Sequence, residues 1–241
     1  LYTPSLTAGV GLFADESYET RRSTANDMAG LLHAAHDGGF FAQVVGDDGQ
    51  RQRPVSVQDG IGGETISDDA KAYDYRQAGL RAGFMHPLNA SSSLGFGGTV
   101  VSGDTKGFMI SARTLDISLD AAYDWRSGPV FVTASAGAGA GSYSNYQRAT
   151  LFGPYTNGRS HVGTSAYSAA LQAGIDHRLG AWTVTPLARL SYVTASMQGF
   201  DEFGTIAAVG FDDRKVSSTN GALELQAAGR IAPTVRVDGV I

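Results

Sequence analysis

Histidines and paired aspartates are the residues here whose types could do chemistry. His33 and His36 stand three apart, a spacing that brings two imidazoles to one face of a helix, where they can hold a divalent metal. No third ligand follows at a clear spacing, so solvated or pore-facing polar residues are the plainer reading. His86, His161 and His177 lie singly, in or near connections. Asp47-Asp48, Asp68-Asp69 and Asp212-Asp213 could place carboxylates around calcium, but none has the spaced oxygen ligands of an EF-hand loop. They read as solvated turns. No serine, histidine and acidic or amide partner share a spacing that supports nucleophilic catalysis. The sequence therefore offers no catalytic residue, metal site or cofactor.

What recurs instead is a column of charge opposite a column of oil. Residues 114–128 read TLDISLDAAYDWRSG, and residues i and i+2 of a strand share a face. Leu115, Ile117, Leu119, Ala121, Tyr123 and Trp125 therefore oppose Asp116, Ser118, Asp120, Asp124 and Arg126. The split repeats. Over 166–178, Tyr167, Leu171 and Ile175 oppose Ser168, Gln172, Asp176 and Arg178. Over 182–192, Trp182, Val184, Pro186, Leu190 and Tyr192 oppose Thr183, Thr185, Arg189 and Ser191. Over 222–231, Leu223, Leu225 and Ala227 oppose Glu224, Gln226 and Arg230. Such strands either pack their oily side into a soluble core, or turn it to lipid and line a wet lumen with the charges.

The elements that carry these columns favour lipid outside. Segments of period 2 are expected at about 39–48, 72–85, 92–102, 111–125, 129–142, 164–178, 182–198, 216–231 and from 234 onward, about nine strands. Their connections alternate long and short, the pattern of an up-and-down barrel with tight turns on one rim and extended loops on the other. Trp125 and Trp182 sit at strand ends in the oily column, where interfacial girdles belong. Ala134 to Gly141 reads ASAGAGAG, which suits a strand that bends or lies near something filling the lumen. Before residue 38 the period changes. Ala25, Met28, Leu31, Leu32 and Ala35 form a helical stripe, Ser23 or Thr24 can cap it, and Gly38-Gly39 stops it. A helix over 19–37 is expected.

Composition excludes several classes. The 241 residues carry a net charge of -5 with scattered Lys and Arg, so no electrostatic footprint for nucleic acid exists. No run approaches the ~20 apolar residues of a spanning helix, which leaves spanning strands open. The chain has no Cys, as suits passage through an oxidising compartment among other settings. Leu1 to Gly9 lacks a basic region and apolar core, so a mature chain or a piece of a longer precursor is expected.

Residues 181–229, AWTVTPLARLSYVTASMQGFDEFGTIAAVGFDDRKVSSTNGALELQAAG, resemble the translocator β-domain of autotransporters, the type V secretion family. The shared features are Pro186 after Trp182, Tyr192 near mid-strand, the step Gly199, Phe200, Asp201, Glu202, and a following strand that ends in Gly. GSYSNYQRATLFG at 141–153, SAYSAALQAGIDHRL and VGFDDRKVSS at 209–218 are similar to the barrels that carry GDSL-type esterases and lipases. The resemblance implies an all-β, antiparallel up-and-down transmembrane barrel of a 12-stranded family, with an N-terminal helix in its lumen, in the bacterial outer membrane. It implies residues 1–18 as a linker from a passenger, 19–37 as the pore-threading helix and 38–241 as a C-terminally incomplete barrel, short of about three strands. Its partners would be outer-membrane lipid, its own N-terminal passenger and the barrel assembly machinery, with the barrel a monomer. The GDSL block itself is not in this chain. Gly103-Asp104-Thr105 has Thr for Ser and no later Asp-x-x-His, and reads as a turn. The passenger, not this chain, would be the ester hydrolase.

On that reading Arg21, Arg22 and Asp27 of the helix pair with Asp116, Asp120, Asp124, Asp176, Arg178, Arg189, Glu224 and Arg230 of the wall to seal the pore. In a wet lumen each pair is expected to contribute ~1 kcal/mol or less. Leu115, Ile117, Leu119, Trp125, Trp182, Leu190, Tyr192, Leu223 and Leu225 would face lipid. The alternative is an outer-membrane porin, which should lack a lumen helix, or a barrel enzyme acting by itself, which should gather a catalytic triad on its outer face or rim.

Overall fold

A computed structural model describes residues 11–35, 37–51, 73–107, 110–150, 153–157, 161–180, 182–204, 208, 210–232 and 235–240. The chain begins with helix α1 (Gly11–Ala34) and continues as β1 (Gly39–Arg51), β2 (Tyr73–Asn89), β3 (Ser92–Gly107), β4 (Ile110–Ser127), β5 (Val130–Thr150), β6 (Gly153–Asn157), β7 (His161–Ile175), β8 (His177–Leu179), β9 (Trp182–Met197), β10 (Phe200–Asp201), β11 (Gly210–Phe211), β12 (Arg214–Ala232) and β13 (Val235–Val240). The main sheet runs β1-β2-β3-β4-β5-β7-β9-β12-β13, every neighbour antiparallel, with β6 on β5 and β8 on β9. β10 and β11 form a separate two-stranded ladder. This is the expected up-and-down order. The strands outrun their expected ends toward the long-loop rim, because partners such as Lys106↔Ser111 and Ser144↔His161 keep pairing where the apolar alternation has stopped.

The sheet wraps around the helix, and α1 touches β2, β3, β4, β5, β7, β9 and β12. A helix of 24 residues is about 36 Å long, enough to run from rim to rim. It starts eight residues before the expected position 19 and ends at Ala34, before position 37. Phe13, Ala14 and Tyr18 are buried against the wall, and this burial orders about two further turns. Ser23 and Thr24, expected as caps, sit in mid-helix. Gly38 and Gly39 adopt φ of +95° and +136°, a region open to glycine, and turn the chain from the helix into β1. The short turns and the start of β1 share one rim, since Gly39 pairs with Met85 near the β2–β3 turn. The first residue of α1 is therefore at the long-loop rim and its last at the short-turn rim.

The two faces of the sheet differ as the columns require. On β4, Leu115, Ile117, Leu119, Tyr123 and Trp125 are exposed on the outer face, Leu119 at 71%, while Thr114, Ser118, Asp120, Ala122 and Asp124 are buried toward the helix. Trp182, Leu190, Tyr192, Leu223 and Leu225 are likewise exposed on the outer face, Leu223 at 88%. Oil on the outside and charge on the inside reverses a soluble core.

Candidate functional site

The helix and the wall around it are where this chain concentrates buried polar chemistry. Wall strands β3 and β5 make room for it by presenting glycine inward. A methyl group at Gly137 would collide with the Arg21 guanidinium and the Asp120 carboxylate, and one at Gly97 would come within 2.5 Å of the Met28 sulfur. A methyl at Gly141 would collide with Asp116. The glycine run of β5 thus lies against the filling of the lumen.

Three layers follow one another down the helix. At the long-loop rim Phe13 is fully buried, its ring stacked on Tyr143 at 4.3 Å and edge-on to Tyr146 at 5.7 Å. Tyr143 donates its hydroxyl proton to the Phe13 carbonyl at 3.0 Å. Glu16, just below, accepts from Thr105 Oγ1 at 2.5 Å and Gln77 Nε2 at 3.0 Å. In the middle Arg21 grips Asp120 with both terminal nitrogens and donates to Ser168 Oγ at 2.7 Å. Asp27 reaches Arg81 at 3.2 Å, and Arg81 is braced by Thr99. At the short-turn rim His33 Nδ1 lies 2.8 Å from Asp124, which also meets Arg126 at 3.1 Å and accepts from Thr133. Arg126 donates to the His33 carbonyl at 2.8 Å, satisfying one of the last carbonyls that a helix end leaves open.

The expected set of charges divides on inspection. Arg21 with Asp120, Asp27 with the wall, Asp124 with the helix end, and Arg189 with Glu224 at 3.1 Å are brought together. Asp176 is joined to Arg126 at 3.5 Å and accepts from Thr185, within the wall. Arg22 does not reach the wall: it pairs with Glu19 on its own helix at 2.8 Å, because the residue beside Arg21 on a helix points about 100° away. Arg178 is exposed on β8 at the short-turn rim. Arg230 lies in β12, and its side chain falls outside the described residues. The expectation of wet, weak pairs fails for Arg21 and Asp120, whose side chains are 2% and 4% exposed. Theirs is a buried pair, where losing one partner strands the other charge.

The sequence reading did not place Glu16, Arg81, Arg126 or Ser168 in this set. Their partners lie far along the chain, 147 residues for Ser168 to Arg21 and 93 for Arg126 to His33, so no spacing rule finds them. The inward column of β2 could have nominated Arg81. Of the His-x-x-His pair, His33 is engaged with Asp124, while His36 and Asp68-Asp69 lie outside the described residues. No group of three or more metal-ligating side chains is present among the described residues. Beside α1, a cavity of about 960 Å³ is lined by Thr20, Ser23, Asp27, Gln43, Arg189 and Glu224 among others, so the helix packs mainly on β5, β7 and β9 and open space remains toward β1.

Comparisons with known proteins bear on what this arrangement is. The translocator domain of the autotransporter NalP from Neisseria meningitidis superposes with a TM-score of 0.75 at 13% identity, covering 99% of this chain and 77% of that one. The β-domain of the Bordetella autotransporter BrkA gives 0.50 at 19% identity, covering 82% and 73%. A Pseudomonas putida protein described as an uncharacterized protein in the trpE-trpG intergenic region is 29% identical over 179 residues. This match takes in 71% of the chain but only 29% of that protein's length. The family model of the autotransporter beta-domain matches residues 59–239. The transmembrane barrel fold, the helix inside it and that match agree, and the chain belongs to the autotransporter β-domain family of the bacterial outer membrane.

Proposed function

We propose that this barrel exports a passenger attached N-terminal to α1 and anchors it at the cell surface, and that the passenger is a GDSL-type esterase. The observation that carries the reading is the direction of the helix. Its N-terminus is at the long-loop rim and its C-terminus turns into β1 at the short-turn rim. Long loops of bacterial barrels are extracellular and short turns periplasmic, so a chain preceding α1 emerges outside the cell. The esterase rests on the likeness of residues 141–153 and 209–218 to barrels that carry such enzymes. The Pseudomonas putida relative is more than three times as long as the matched region, so a domain of this kind can be joined to a large further portion.

On this reading Arg21, Asp27, Asp120, Asp124, Arg189 and Glu224 hold the helix in the pore, and the outer columns from Leu115 to Leu225 contact outer-membrane lipid. The barrel is inserted by the assembly machinery as a monomer, and this domain performs no ester hydrolysis itself. Expression of the full-length protein with an epitope ahead of Gly11 is the test. Intact cells should bind antibody to the epitope and hydrolyse a short chromogenic ester. An epitope reached only after permeabilisation sinks the export reading. Display without surface hydrolysis removes the esterase alone.

A further inference from the structure

The long-loop rim carries a structure that the export reading does not use. Beyond Met197↔Arg214 the β9–β12 hairpin continues in the same register as Phe200↔Phe211 and Asp201↔Gly210, and it leans over the lumen mouth, so that Phe200 is buried with Phe13 and Tyr146. Gln198 donates its amide proton to the Gly163 carbonyl at 3.0 Å, Gly199 donates to Asp213 at 2.6 Å, and Phe200 pairs with Phe211 across the β10–β11 ladder. These two limbs, 198–204 and 210–213, form a strap. Phe200 is only 4% exposed although it lies in a connection. Its ring is edge-on to Tyr146 at 5.3 Å and stacked on Phe211 at 5.0 Å. Tyr146 in turn is edge-on to Phe13 and donates its hydroxyl proton to Glu202 of the strap at 2.6 Å. A continuous file of rings therefore joins the strap to the first turn of the helix.

The geometry points to a catch: the strap closes over the helix N-terminus once it is seated and retains it. Phe13 lies beneath Tyr143 and Tyr146 in the cluster that Phe200 completes, so α1 can be withdrawn through the mouth only after the strap has swung out. Its backbone ladder spans only two residue pairs among the described residues, which suits a part that opens locally while the barrel strands stay paired. Gly199 stands at the break between the β9–β12 and β10–β11 ladders. A methyl group there would stand 2.7 Å from the Phe211 carbonyl oxygen and 3.1 Å from the Asp213 nitrogen, so the strap cannot close on alanine without shifting backbone. This inference concerns the helix, and holds whatever chain precedes it.

Hydrogen exchange of the full-length protein in membrane vesicles tests it, with heat-modifiable gel migration reporting that the barrel is intact. In Phe200→Ala, amides of residues 13–21 should exchange about tenfold faster, as local opening becomes easier, while those near Leu32 hold. Gly199→Ala should give the same pattern without touching any group that contacts the helix, and stands in if Phe200→Ala does not fold. A change below about twofold at residues 13–21 in an intact barrel overturns the catch. So does an equal rise along the whole helix, which would mean general loosening.

Discussion

At the long-loop rim α1 meets rings, Phe13 enclosed by Tyr143 and Tyr146; at the short-turn rim charges join the apolar packing of Leu32 with Met85, His33 and its carbonyl being held by Asp124 and Arg126. Ring packing is short-ranged, indifferent to salt and tolerant of small rotations. Charge-assisted hydrogen bonds are directional. The mouth end therefore supplies contact area, and the opposite end fixes how the helix is turned about its axis. Between them the buried Arg21–Asp120 pair fixes its depth, since Gly137 opens the space in which the two side chains meet.

Substitutions can separate these roles. Asp120→Ala should have the largest effect, about 3–5 kcal/mol, because it leaves the Arg21 guanidinium buried without its carboxylate. Urea titration of the detergent-solubilised parent protein, followed by helix circular dichroism, would register it. An effect below about 1 kcal/mol would mean that water reaches the pair and that depth is set elsewhere. Phe13→Ala should cost about 3 kcal/mol by the same measurement, the range for a buried aromatic truncation, with no change between low and high salt. A strong salt dependence would show that the mouth is not held by packing. Arg126→Ala should cost about 2 kcal/mol, as for hydrogen bonds to charged groups, and its effect should shrink as salt rises, because the guanidinium is 27% exposed at the rim. Salt-independent loss there would erase the contrast between the two ends.

These contacts also mark what a one-dimensional reading can and cannot reach. The outer columns were legible because one rule governs them: every second residue faces outward, from Leu115 to Trp125 and from Trp182 to Tyr192. The inward column told where charge faces, but not which partner each charge meets. Arg21 and Arg22 are indistinguishable as neighbours in sequence, and only the helical turn sends one to Asp120 and the other to Glu19. The start of the helix was hidden for a related reason. GLFADESY is ordered by burial against tyrosines more than a hundred residues away. The Gly199-Phe200-Asp201-Glu202 step was visible as a family feature, while the burial of Phe200 depends on Tyr146 and Phe211.

The inward glycines of β5 carry a consequence for how this sequence can drift. Gly137 and Gly141 have no space for even a methyl group, whereas Ala136, Ala138 and Ala140, interleaved with them, are exposed on the outer face. Adjacent codons of one strand thus live under opposite rules. The outer positions can exchange among apolar side chains of many sizes, while a methyl group at Gly137 would also stand 2.7 Å from the Leu119 carbonyl oxygen, which no side-chain exchange removes, and Gly141 can vary only together with Asp116 and Thr164. Across relatives of this chain, β5 should read as a fixed glycine comb whose gaps are filled almost at will.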